Sequence, residues 1–187
     1  MPSRARDLLL EHFRWIDGHA DVWSVFRDPV ALAAVVAGIV DPFRDAQVTA
    51  VCGIESRGFL LGAAAAVELG VGFVPVRKPD GLFPGDKLSA RTDPDYRQRR
   101  HTLRLQRSSL GPGDRVLLVD DWIETGSQAI TVRRMVEECG SRWVGCGVMV
   151  DQLRDERRAL LGRVVGVVRA GELPASVGST VPPPTTR

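Results

Sequence analysis

The sequence predicts an α/β fold in which a parallel sheet is covered by helices on both faces. Two observations carry that expectation. Near-continuous apolar runs, VTAVCGI (48–54), RVLLVDD (115–121) and WVGCGVMV (143–150), have the character of strands buried on both sides. Segments of helical composition lie between them, and strands that alternate with helices wind into a parallel sheet.

The elements follow in chain order. Residues 3–13 and 28–40 read as helices, the second opened by Asp28 as N-cap and Pro29 at the first helical position. Strand 48–54 runs into GIESRG, and an Ala-rich helix over 58–69 is closed by Gly70. GFVPVR (72–77) is the next strand. Residues 78–100 hold Pro, Gly, Asp and basic side chains without apolar periodicity and read as one long loop, a feature usually tied to function or motion. HTLRLQ (101–106) alternates, GPGD (111–114) turns the chain, and RVLLVDD leads through a Gly-containing turn to a helix over 127–139. Strand 143–150, a short helix at 153–161 and strand RVVGVV (163–168) complete one domain over 1–174. The tail 175–187 has no apolar pattern on which to fold.

Composition narrows the function classes. A chain of 187 residues, 44% hydrophobic and 26% charged, suits one soluble globular domain. A net charge of +2 announces neither a nucleic-acid nor a membrane partner. Its basic residues are arginines apart from Lys78 and Lys87, a skew that a GC-rich genome suffices to explain. Three cysteines, Cys52, Cys139 and Cys146, lack CxxC spacing and argue against a disulfide framework. With no leader-like segment and no apolar run of spanning length, the expectation is a reduced, cytoplasmic protein.

In a parallel α/β sheet the ligand sits beyond the carboxyl ends of the strands. Here those ends carry GIESRG, VRK and VDDWIETGS, so all three suggestive segments face one crevice. VLLVDDWIETGSQA (116–129) sets two carboxylates, Asp120 and Asp121, before a loop of small and hydroxyl residues that starts a helix. Backbone N–H groups there, with Thr125, Gly126 and Ser127, suit a phosphate, and adjacent carboxylates suit a vicinal diol. Together they describe a ribose 5-phosphate site. The same spacing fits two acids that only turn the chain and cap the helix.

The 116–129 segment resembles the signature of the type I phosphoribosyltransferases, which bind 5-phosphoribosyl-1-pyrophosphate (PRPP). GIESRGFLLGAAAAVELGVGFVPVRKP (53–79) resembles the adenine branch of that family, and DVWSVFRDP (21–29) is more weakly similar to its DITPLLKDP-type segment. These matches span most of residues 20–150. The resemblance implies a five-stranded parallel core, a small hood from about 1–27 with the C-terminal strand region, a flexible loop and a homodimer. It implies transfer of phosphoribosyl from PRPP to a nitrogenous base, a purine by the adenine likeness, with release of pyrophosphate. By position, Asp120 and Asp121 would hold the ribose hydroxyls, partly through Mg²⁺. Glu124, Thr125, Gly126, Ser127 and Gln128 would bind the 5-phosphate. Ser56, Arg57, Arg77 and Lys78 would face the pyrophosphate, and His19, Asp21 and Val22 the base.

The chain departs from that pattern in three places. His19-Ala20 stands where the adenine enzymes have Phe-Arg before the DITPL-like segment. Asp95-Tyr96 is nearest to the loop's Glu-Tyr-Gly, and Arg97 replaces its glycine within a basic run that ends at His101. Glu124 replaces an alanine; in the 6-oxopurine enzymes the matching position is an aspartate that handles a purine proton. A carboxylate here suits a general base or an acid favoured by the helix dipole. The alternative class is a non-catalytic PRPP- or nucleotide-binding regulator of the same fold, although residues 1–20 are too short for a winged helix.

Overall fold

A computed structural model describes residues 3–79, 82–94 and 99–175. The elements are α1 (Arg4–His12), β1 (Arg14–Ile16), β2 (His19–Asp21), α2 (Trp23–Arg27), α3 (Pro29–Val40), β3 (Ala50–Ile54), α4 (Arg57–Leu69), β4 (Gly72–Arg77), β5 (Lys87–Arg91), β6 (Thr102–Gln106), β7 (Arg115–Ile123), α5 (Ser127–Glu138), β8 (Arg142–Asp151), α6 (Asp155–Ala159) and β9 (Val164–Arg169). Among the described residues the main sheet has the order β5-β6-β4-β3-β7-β8-β9. β4, β3, β7, β8 and β9 are mutually parallel. β6 and β5 extend that core with antiparallel pairing.

Every residue of β3 is buried, as its unbroken apolar run requires, because both faces of the sheet are covered. On one face α1–α4 pack over Val51, Leu117, Val119 and Met149. On the other α5 supplies Ile130, Val132, Met135 and Val136 against Cys52, Leu118, Cys146 and Val148. α3 begins as the sequence indicates: the Asp28 carboxylate accepts hydrogen bonds from Val30 N–H and Ala31 N–H, with Pro29 in the first turn. α4 ends on Gly70 at φ 68°, a left-handed conformation that glycine adopts without steric cost.

Two differences from the sequence reading have clear causes. Residues 78–100 are not one loop, because Lys87–Arg91 forms β5, with Leu88 opposite Leu105 of β6. One large apolar side chain in KLSAR was too weak a periodic signal, and the neighbouring strand supplies the rest. Residues 14–21 form the hairpin β1–β2, turned by Asp17-Gly18 with both φ angles positive. Asp-Gly is the strongest short hairpin signal and was readable in the sequence. The hairpin and α1 also meet the segment after β9, where Trp15 Nε1 donates to the Pro174 carbonyl at 2.7 Å and Arg6 Nε to Glu172 Oε1 at 2.9 Å. Asp95 and Tyr96, and the tail beyond Ala175, lie outside the described residues.

The close approach of β3 to the start of α4 depends on glycine. A Cβ at Gly53 would lie 2.1 Å from the Gly58 carbonyl oxygen, which is backbone and cannot turn aside. Gly53→Ala is expected to destabilise the protein by at least ~1–3 kcal/mol through overpacking. Chemical denaturation checks this, and a midpoint equal to that of the parent chain would refute it.

Candidate active site

The carboxyl ends of β3, β4, β7 and β8 open on a cavity of about 720 Å³. Ser56, Arg57, Lys78, Asp120, Asp121 and the whole 124–128 loop line it, together with His19. The three segments expected to converge, at the ends of β3, β4 and β7, therefore do so, since parallel strands deliver all their exits to one edge.

At the end of β7 the two acids have different surroundings. Asp120 accepts a hydrogen bond from Asp121 N–H at 2.9 Å and lies against the first turn of α4. A Cβ on Gly58 would come within 2.8 Å of its Oδ1, so glycine makes room for the carboxylate. Burial, and then the neighbouring Asp121 charge, push the Asp120 carboxyl well above the ordinary carboxylate range, and Lys78 opposes them. Asp121 is buried and paired with Arg57, whose Nη1 lies 2.7 Å from its Oδ2.

On the opposite wall Glu55 ties two strand ends together. Its Oε1 accepts from Arg77 Nη2 at 3.1 Å and its Oε2 from Lys78 N–H at 2.9 Å. The Arg77 hydrogen bond is the main reason why the Glu55 carboxyl lies below its usual range. Arg77 also donates to the Leu82 carbonyl at 2.7 Å, so its guanidinium is engaged behind the wall and does not line the cavity. Lys78 does line it.

The 124–128 loop has the features of an anion cradle. Gly126 sits at φ 70° as the N-cap of α5, and no side chain caps the helix from that position. Thr125 Oγ1 and Ser127 Oγ lie 2.8 Å apart, and the Ser127 hydroxyl donates to the Pro94 carbonyl at 3.1 Å. Leu153 Cδ1 would be 2.9 Å from a Cβ at Gly126, which closes the outer side of the loop.

The remaining end is walled by Trp15, Gly18, His19, Ala20, Trp122 and Gln152. Of the three base-side candidates, only His19 reaches the cavity. Val22 is fully buried in the core, and the Asp21 carboxylate accepts from Trp23 N–H at 2.9 Å at the start of α2. Sequence reasoning missed Trp15, because the hairpin that carries it was missed. It also passed over Glu55, inside a segment already singled out, and Gln152, which directly follows β8. The rule that ligands sit beyond strand ends pointed to both.

Among the described residues no group of three or more His, Cys, Asp or Glu side chains is arranged to hold a metal. The Asp120–Asp121 pair fits a divalent cation only if the ligand supplies most of the oxygens. Ionising Asp120 works against folding: the folded chain holds this proton more tightly than the unfolded one, so stability falls as pH rises above the ordinary carboxylate range. Ligand-free Asp120→Asn is therefore expected to melt at a higher temperature than the parent at pH ~7.5, with the gap closing towards pH ~4. Calorimetric melts across that range test it, and a lower melting temperature at neutral pH would contradict the assignment.

Residues 30–170 match the phosphoribosyl transferase domain family. The chain is 42% identical over 146 residues to the adenine phosphoribosyltransferase of Methylococcus capsulatus, covering 78% of this chain and 84% of that one. It resembles the crystal structure of adenine phosphoribosyltransferase from Rhodothermus marinus with a TM-score of 0.78 and 32% identity, covering 88% of this chain and 98% of that one. The Giardia lamblia enzyme, solved in complex with 9-deazaadenine, is similar with a TM-score of 0.78 and 32% identity, over 88% of this chain and 97% of that one.

Proposed function

This chain belongs to the phosphoribosyltransferase family and transfers a phosphoribosyl group from PRPP to a nitrogenous base with release of pyrophosphate; we propose that the base is a purine, with adenine the first candidate. The observation that supports PRPP as the donor is the meeting, in one cavity, of the carboxylate pair, the Ser56–Arg57 and Lys78 segments and the 124–128 cradle. The similarity to adenine phosphoribosyltransferases supports the choice of base.

In this reading the cradle takes the 5-phosphate through backbone N–H groups and the Thr125 and Ser127 hydroxyls. Gly126 admits the close approach, and Gln128 stands at the start of α5. Asp120 and Asp121 accept from the ribose hydroxyls. Ser56, Arg57 and Lys78 face the pyrophosphate, while Arg77 acts from behind by orienting Glu55 and the end of β4. Departure of pyrophosphate leaves positive charge on the ribose and adds negative charge to the leaving group. Fixed carboxylates and cations on the two sides lower that barrier without a covalent nucleophile. Asp120 and Asp121 would help to hold a magnesium ion carried in with PRPP, which would supply further charge neutralisation for the leaving group. The base lies at the end walled by Trp15, His19, Trp122 and Gln152.

The wider assignment is one domain over 1–174 with a hood from about 1–27, acting in the cytoplasm as a homodimer. Half-exposed Leu60 and the more exposed Val67 on α4 support a partner surface. Among the described residues no helix is long and apolar enough to cross a membrane.

Release of pyrophosphate from PRPP with Mg²⁺ and a panel of purines and pyrimidines tests the function. Turnover is expected with a purine, and Asp121→Asn is expected to weaken PRPP binding in calorimetry, because it removes a negative acceptor at constant size. Binding without turnover for any base would leave a regulator. Undiminished affinity would discard the diol assignment.

Glu124 lines the same cavity and separates base chemistry from phosphate binding. If its carboxylate takes a proton from the base, Glu124→Gln lowers turnover about 10²-fold or more while PRPP affinity holds or rises, since a charge beside the phosphate is removed. Unchanged turnover would remove the general base and leave electrostatic stabilisation as the main catalytic effect.

A further inference from the structure

Arg157, on α6, reaches two segments at once. Its Nε donates to the Thr125 carbonyl at 3.1 Å, and its Nη2 to Asp93 Oδ2 at 3.3 Å. Thr125 belongs to the anion cradle, whereas Asp93 follows β5 at the edge of the sheet. Nearby, Ser127 Oγ donates to the Pro94 carbonyl at 3.1 Å. The segment after β5 thus sits on the cradle through one charged and one neutral contact. It is anchored from behind, because Thr92 is fully buried, its N–H donates to the His101 carbonyl at 2.8 Å, and its Oγ1 accepts from His101 N–H at 2.9 Å.

The cradle sequence, Glu124-Thr125-Gly126-Ser127-Gln128, contains a carboxylate and no cationic side chain. The guanidinium of Arg157, itself paired with Asp93, supplies a donor to the backbone of this loop. Geometry adds a second effect. A trans peptide points its C=O and N–H in opposite directions. Pinning the Thr125 carbonyl to Arg157 therefore turns the Gly126 N–H away from α6, and Gly126 lines the cavity.

We infer that Arg157 is a positioning residue of the 5-phosphate subsite, holding the Thr125–Gly126 peptide in its phosphate-binding orientation and seating the segment after β5 on the same loop through Asp93. The inference rests on the 124–128 loop being the 5-phosphate site. It also gives the Ser127 contact a role. When the Ser127 hydroxyl turns to a phosphate oxygen it leaves the Pro94 carbonyl, and the Arg157–Asp93 pair keeps the segment in place. A partly exposed ion pair with no further role would contribute little to stability and nothing selective to binding.

Calorimetry on the full chain with two probes separates these readings. Ribose 5-phosphate reports the phosphate subsite, and magnesium pyrophosphate reports the opposite wall. Arg157→Ala is expected to weaken ribose 5-phosphate binding about tenfold or more, leave pyrophosphate binding unchanged, and raise KM for PRPP with kcat retained. Arg157→Lys keeps the charge and one point of donation; it shows the same split in weaker form and serves if the alanine variant does not fold. Equal loss of both probes, or loss of neither, in the variant that folds would overturn the inference. A parent chain that binds pyrophosphate but no ribose 5-phosphate would instead bring down the reading of the loop, and this inference with it.

Discussion

The site depends on how closely α4 begins against the ends of β3 and β7. Gly53 and Gly58 permit that approach, and neither position tolerates a Cβ without moving backbone or the Asp120 carboxylate. The approach fixes three things together. It places Arg57 beside Asp121, brings Ser56 to the cavity wall, and presses Asp120 into a corner that favours its protonated form. A carboxylate held where water solvates it poorly gains more from a ligand hydroxyl or a cation than one on an open surface does. The instability that burial creates in the free protein is thus tied to affinity in the bound one.

Charge is organised in the free protein by pairs rather than by isolated groups. Arg57 is held by Asp121, and Arg77 by Glu55 and the Leu82 carbonyl. Each pair lowers the cost of gathering several like charges in one cleft and fixes the direction in which a guanidinium points. Little then has to reorganise when a charged ligand arrives, the condition under which electrostatic stabilisation is most effective. The division also explains why two neighbouring cations, Arg77 and Lys78, differ in position. Alternation along and just beyond β4 sends Arg77 behind the wall, where Glu55 holds it, and leaves Lys78 at the strand exit.

The parallel core was legible because strands buried on both faces are written as apolar runs that few other structures produce. The shape of the 124–128 loop was legible because it is set locally: a strand end, two acids, a glycine at positive φ and a helix start. What escaped was set by partners distant in sequence. β5 exists through its pairing with β6, and KLSAR alone has too little apolar pattern to announce it. The placing of Asp21 and Val22 away from the cavity follows from α2, too short to show a period, and from the hairpin, whose local Asp17-Gly18 signal went unread. Arg77 and Lys78 are adjacent in sequence, and the contact of Arg77 with Glu55, distant in sequence, adds to strand alternation in separating their positions.

The two ends of the cavity are built from different materials, and this bears on how specificity can vary. The 124–128 end, proposed for the phosphate, is made largely of backbone, Gly126 and the Thr125 and Ser127 hydroxyls, with Glu124 and Gln128 beside them. The other end, proposed for the base, is made of side chains from separate segments: Trp15 and His19 from the hairpin, Trp122 from β7 and Gln152 from beyond β8. Trp122 Nε1–H donates to Gln152 Oε1 at 2.9 Å; an indole can only donate, so the oxygen of that amide is engaged and its N–H groups remain for other partners. In the proposed reading, substitutions of His19 or Gln152 would alter hydrogen bonding towards the base at a distance in sequence from the Gly53–Gly58 contact and the carboxylate pair. If this is the base end, His19 and Gln152 offer a physical route to new bases, whereas Trp15 and Trp122 also pack against the core and are less free to change.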